Sequence, residues 1–322
     1  MRSDNMSESV KKKKKKKRSQ APVALVYFIT LLLFLGVFGA FAMVIVQKLT
    51  QTDEVTVDYS DQYVDSYNTI YARVNSKNVL GDVCLVRTCP EQDKILVVPM
   101  SPFTISATDS TSTFREVYAD GGIRQLQKAV DETFGIVTDY YVTVSNTAFE
   151  ESIDVIGGFT YTPSEELYQL SKNDSDDISF RANVAVTLSG RQVRLLCQSS
   201  VFSEGKQGNV EFLGDAVTSI VNNAFDQVEI TTNSLDILYQ KCATAGTTNL
   251  TENIYKTQKV YIKEMLNKQI QPAYSMIPEG SWTDATHFEL SEDFKQKLYD
   301  EMEATKSEMY TVEAEEAQES EE

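Results

Sequence analysis

"VYADGGIRQLQKAVDETFG", Val117 to Gly135, follows a glycine pair with Ile123, Leu126, Val130 and Phe134 on one helical face. "TDYYVTVS", 138–145, comes next, with Tyr140, Val142 and Val144 alternating along it. A one-faced helix feeding straight into an alternating strand is how an α/β sheet covers itself. Upstream, "VCLVRT" and "KILVVPM" read as two strands about the turn "CPEQD", and "SATDSTST", 106–113, as a polar loop. Downstream, "SNTAFEESIDVIGG" reads as a second helix with a Thr147/Glu150 capping box and an end at Gly157. "ANVAVTLSGRQVRLLCQSS" reads as strands about a Ser-Gly turn, and "KQGNVEFLGDAVTSIVNNAF" as a long helix. Further helices are predicted at 233–242, at 252–268 and from about Ser291. The expected fold is therefore α/β: a mixed central sheet with helices on both faces. No Pro/Gly/Ser-rich linker interrupts residues 80–306, so one domain is expected there.

The chain has 322 residues and a formal charge of -17, unevenly spread. Residues 1–20 hold Arg2, Lys11 to Lys17 and Arg18 against Asp4 and Glu8, so the remainder is more acidic than the total. Such a body repels nucleic acid, and no basic groove is visible in it. From Ala21 to Val46 no side chain is charged. As a helix, that length spans roughly 39 Å, enough for a hydrocarbon core of about 30 Å. The lysine run on its N-terminal side places the N-terminus in the cytoplasm and the bulk of the chain outside. The expected layout is a basic cytoplasmic tail at 1–20, a transmembrane helix at 21–47, a stalk and first element at 48–79, an extracytoplasmic domain at 80–306 and a disordered acidic tail at 307–322. The expected location is the cell membrane, with a single pass. Cys84, Cys89, Cys197 and Cys242 show no metal-site spacing and fit either disulfides or buried thiols.

The order of elements resembles the LytR–CpsA–Psr family of bacterial cell-envelope proteins. The likeness is most specific in "VYADGGIRQLQKAVDETFGIVTDYYVTVSNTAFEESIDVIGGFTYTPSE", in "LSGRQVRLLCQSS" and in "ILVVPMSPFT". It implies transfer of phosphate-linked glycopolymers from a polyprenyl-pyrophosphate carrier to peptidoglycan, with the lipid in an apolar tunnel. Arginines would grip the pyrophosphate, and acidic residues would hold a divalent metal. This chain departs from that pattern where charge is needed. Met100, Ser101 and Pro102 stand at the family's Arg, Asp and Thr; Gln198 and Ser200 stand at two arginines; Lys206 replaces another, with Asn209, Val210 and Glu211 after it. Losing three charge-assisted contacts, each worth about 1.5–3 kcal/mol, removes several orders of magnitude in rate or affinity.

The resemblance thus implies a degenerate member binding polyprenyl lipid or wall components in a structural or regulatory role. Alternatives are a divergent active phosphotransferase and a protein–protein module reusing the fold, so whether the chain is an enzyme stays open. Expected partners are the membrane, a polyprenyl-phosphate lipid, a cell-wall polymer or another envelope protein. Mg²⁺ or Mn²⁺ enters only if the chain is active, with Asp82 as candidate ligand. Catalytic candidates are Lys206, Arg191 and Arg194; with Arg87 and Arg115 they either rebuild an anion site or pair with the abundant carboxylates. Lipid-lining candidates are Val130, Phe134, Phe149, Ile153 and Ile156, for which plain core packing is the competing reading. "NDS" at 173–175 and "NLT" at 249–251 match glycosylation sequons, an accidental match in a bacterial chain.

Overall fold

The computed structural model describes residues 66–172 and 176–306. The basic tail, the apolar span, most of the stalk, the sequon at 173–175 and the acidic tail lie outside the described residues. No helix among the described residues is long and apolar enough to cross a membrane.

The sheet grows from the hairpin expected between Val83 and Met100. Strand β1 (Tyr67–Val74) pairs antiparallel with β2 (Leu80–Cys89), and β2 pairs antiparallel with β3 (Lys94–Met100). Helix α1 (Phe114–Phe134) leads into β4 (Tyr140–Ser145), which joins β1 in parallel. Short β9 (Ala273–Ser275) adds in parallel to β3, giving a mixed five-stranded sheet in the order β4-β1-β2-β3-β9.

Two ribbons, β5 (Phe159–Tyr161) with β8 (Val186–Leu188) and β6 (Leu167–Gln169) with β7 (Ile178–Phe180), precede the C-terminal half. The remaining helices are α2 (Asn146–Val155), α3 (Gly190–Gln198), α4 (Lys206–Asp226), α5 (Val228–Ala245), α6 (Glu252–Asn267) and α7 (Glu292–Ala304). A hairpin of β10 (Gly280–Asp284) and β11 (His287–Leu290) precedes α7 and carries Trp282 in its first strand.

Period-two alternation splits the sheet into two buried faces. Ile70, Ala72, Val83, Leu85, Leu96 and Val98 point at α1 and α7, where Phe114, Phe134 and Phe294 are almost wholly buried. The Phe134 and Phe294 rings meet edge to face, with centroids 6.3 Å apart. Each such ring contributes about 1.5–3 kcal/mol by burial. Thr69, Tyr71, Arg73, Asp82, Cys84 and Pro99 point the other way, where α2 packs on β1, α4 on β3 and α5 on β4.

Three local readings are corrected. Helix α1 has a first segment ahead of the glycine pair, capped by Thr113, whose N–H and hydroxyl donate to Glu116; it breaks at Gly122 (φ 65°), and the predicted helix follows that break. Ser145, not Thr147, caps α2, accepting from the Ala148 N–H at 3.1 Å. "SGRQVRLLCQ" is helical, because Ser189 and Gln192 form a reciprocal capping box that starts α3.

Candidate functional site

A cavity of about 360 Å³ opens where the termini of five elements meet. The start of β2 contributes Gly81 and Asp82. The end of β3 and its exit contribute Met100, Ser101, Pro102 and Phe103. Arg115 comes from the first turn of α1, Gln198 to Ser200 from the end of α3, and Lys206, Asn209 and Val210 from the start of α4. The positions at which the sequence departs from the arginine-bearing pattern therefore converge on one pocket, although they are more than 100 residues apart. The short elements explain this: α3 ends at Gln198 and α4 begins at Lys206, so both termini face the carboxyl end of β3.

Behind the cavity wall lies a buried ion pair that sequence reading missed. Arg73 is 3 % exposed, and its guanidinium pairs with Asp82, with Nε donating to Oδ2 at 2.6 Å. Its Nη1 donates to Asn146 Oδ1 at 2.5 Å. The orientation that satisfies Gln198 turns its amide oxygen to Arg73, 2.9 Å from Nη2 and 3.2 Å from Nη1. The Phe149 ring lies 5.7 Å from the guanidinium carbon. Burial raises the Asp82 carboxyl above the ordinary range, and the Arg73 pair works against that rise.

Two cations in the cavity have no carboxylate within ion-pair distance among the described residues. Lys206 Nζ sits 3.8 Å from the centroid of Phe103, and the Arg115 guanidinium carbon 4.4 Å from the same ring. Arg115 Nε also donates to the Leu80 carbonyl at 3.2 Å. Burial, then the nearby charge of Arg115, lowers the Lys206 ammonium; burial lowers Arg115. Two cations held over one ring and destabilised by burial are suited to an anion, which would relieve both costs.

Of the catalytic candidates, only Lys206 lines the cavity. Arg191 donates to Asp176, and Arg194 pairs with Glu150. Arg87 is buried on the other face of the sheet, holding the end of α7. Cys197 also reaches the wall, but burial and the Asp82 charge push its thiol up, which disfavours a thiolate nucleophile.

Asp82 was expected as a metal ligand. It faces Arg73, Arg115 and Arg194, all cationic, and no group of three or more His, Cys, Asp or Glu side chains suited to a metal occurs among the described residues. One carboxylate already bonded to a guanidinium does not make the oxygen-rich set that Mg²⁺ or Mn²⁺ requires, so the donor set does not fit a divalent cation.

The five lipid-lining candidates fall on opposite sides of the sheet. Val130 and Phe134 belong to the filled core under α1. Phe149 and Ile153 belong to a second cluster with Leu188, Phe212 and Leu213, and Ile156 is buried at the end of α2. Helical periodicity identified their buried stripes correctly but could not say which side of the sheet each stripe meets. Between the second cluster and the sheet, Tyr71 retains 37 % of its surface although β1 is an inner strand under helices.

The LytR–CpsA–Psr family model matches residues 96–304. The chain belongs to the LytR–CpsA–Psr family. No curated protein matches it. Among solved structures, Bacillus subtilis TagV is similar at 14 % identity and a TM-score of 0.61, over 76 % of this chain and 98 % of that one. A Streptococcus agalactiae protein is similar at 11 % identity and 0.62, over 78 % and 92 %. TagT bound to LI-WTA is similar at 14 % identity and 0.55, over 75 % and 90 %. At these identities the likeness shows the fold, and this LytR–CpsA–Psr chain must be judged by its own pocket.

Proposed function

We propose that this protein is a membrane-anchored, extracytoplasmic member of the bacterial cell envelope that binds a phosphate-bearing carrier lipid or wall polymer without performing the phosphotransfer expected of its family. One observation carries this reading. A pocket lies at the ends of β3, α3 and α4, and it presents Met100, Gln198 and Ser200 where the resemblance places arginines. Arg115 and Lys206 supply enough positive charge to hold an anion. They do not supply the several converging donors that would stabilise charge building up on a transferring phosphoryl group. The partial exposure of Tyr71, on the same face of the sheet as Asp82, is compatible with an apolar chain there. The uncharged run at 21–46 supports the anchor, and the LI-WTA-bound relative supports a wall polymer as ligand class.

The test uses the full chain in detergent. Native mass spectrometry with a polyprenyl pyrophosphate is expected to show a bound species that is weakened by Lys206→Ala and by Arg115→Ala. Release of inorganic phosphate or glycopolymer transfer is expected to stay at background with Mg²⁺ and with Mn²⁺. Turnover abolished by Lys206→Ala would replace this reading with the active-transferase one. Absence of any bound lipid or polymer would remove the binding role.

A further inference from the structure

We propose that Arg73 occupies the electrostatic place of a divalent cation in this pocket, so that Arg115 and Lys206 bind a phosphoryl group without metal. The inference rests on the anion-binding reading above and names what sets the charge of that site. The Arg73 guanidinium reaches Asp82 from β1, across the β1–β2 hairpin, and is built in on every side. Asp82 takes Nε and Nη2, Asn146 takes Nη1, and the Gln198 oxygen faces both terminal nitrogens. Gly81 completes the seat: a Cβ there would stand 2.6 Å from Nη2 and 2.9 Å from Cζ, so any side chain at this position would force the guanidinium to shift.

The pairing removes the one carboxylate on the cavity wall from metal chemistry. A divalent ion at Asp82 would have to displace a buried, multiply bonded guanidinium and then sit among Arg115 and Arg194, whose charges also act on Asp82. With Asp82 neutralised from behind, Arg115 and Lys206 leave a net positive cavity. Its charge comes from side chains fixed by the fold and not from an exchangeable ion. The ligand class is a phosphoryl anion, whether on a lipid carrier or on a polymer.

Mn²⁺ titration of the full chain in detergent, followed by electron paramagnetic resonance, tests the inference directly. The readout is the part of Mn²⁺ binding that Asp82→Asn removes. In the wild type that part is expected to be nil, and Arg73→Lys, which keeps the charge, should behave the same. Arg73→Asp, which removes the guanidinium and sets a second carboxylate opposite Asp82, should gain an Asp82-dependent Mn²⁺ site at least about tenfold tighter than any in the wild type, because two facing carboxylates supply the oxygens a hard cation needs. In a second arm, inorganic phosphate should bind the wild type with the same affinity in EDTA and in Mg²⁺.

A wild-type Mn²⁺ site lost on Asp82→Asn would overturn the inference, as would phosphate binding that requires Mg²⁺. If Arg73→Asp does not fold, the comparison of wild type with Asp82→Asn still decides. Phosphate binding in neither condition would count against the anion-binding reading, while the Mn²⁺ arm would still judge the role of Arg73.

Discussion

Gly81→Ala is the most demanding test of how the pocket is built. β1 and β2 slip register at this point: Arg73 faces Asp82, Val74 faces Leu80, and Gly81 is left over in the bulge beneath the guanidinium. An alanine Cβ would lie 2.6 Å from Arg73 Nη2, whereas ordinary contact begins at 3.4 Å. The guanidinium must therefore retreat by about 0.8 Å, which takes the 2.6 Å bond to Asp82 and the 2.5 Å bond to Asn146 toward the limit of hydrogen bonding. Two charge-assisted bonds at about 1.5–3 kcal/mol each would be weakened inside a buried site, so a loss of about 3–5 kcal/mol is expected. In a domain of this size each kcal/mol lowers the midpoint by about 2–4 °C, which gives a drop of about 6–20 °C. Thermal and urea unfolding followed by circular dichroism measure it, and Gly81→Ala combined with Arg73→Lys, a shorter head, should recover part of the loss. A Gly81→Ala chain within about 1 kcal/mol of the wild type would show that Arg73 is not wedged in place.

Three further outcomes are expected. Because burial and Arg115 lower the Lys206 ammonium, phosphate affinity should be full while Lys206 is protonated and should fall as pH rises through its depressed pKa, below the ordinary 10.5; Lys206→Arg should move that limb to higher pH in calorimetric titrations. Arg87 donates to Thr305 Oγ1, Asn68 Oδ1 and the carbonyls of Met302 and Thr305, capping the C-terminus of α7 with a positive charge; Arg87→Met should cost about 2–4 kcal/mol in urea unfolding and strip amide-exchange protection from the last turn of α7 first. Asp131, half-buried in α1, is raised from 3.8 to about 6 mainly by burial, so the folded state holds its proton more tightly than the unfolded state and this group's contribution to stability falls as pH rises from about 4 to 6. Asp131→Asn should then stabilise the domain by about 1–2 kcal/mol at neutral pH, after allowance for solvent screening, and the gain should vanish near pH 4 in urea midpoints.

The parts of the fold that sequence resolved were those whose signal is local. The strands around "CPEQD" were visible from alternation, the long α4 from its apolar stripe, and α7 from Ser291, which accepts from the Phe294 N–H at its start. Errors arose where a second signal had to be weighed. The glycine pair at 121–122 marks a real break, but the helical segment ahead of it, opened by the Thr113/Glu116 box, went unread. The Ser189/Gln192 box was likewise masked by the Ser-Gly turn signal. The pocket was legible as a set of substituted positions, since Met100, Ser101, Gln198, Ser200 and Lys206 all reach it. Arg73 was not, because its meaning depends on cross-strand register, and that register shifts at a bulge marked only by one glycine. Phe103, the platform under both free cations, gave no signal beyond being one aromatic in a loop.

The Arg73–Asp82 pair also limits how this lineage can change. Replacing either residue alone strands a lone charge in the interior, a defect of several kcal/mol, so a divalent ion cannot be admitted at Asp82 by single tolerated steps through this pair. Asn146 and Gln198, which complete the guanidinium's shell from two different helices, would need to change as well. The domain thus carries an interlock: the charge of this pocket is set jointly by residues of two strands and two helices, and no one of them can change without the others.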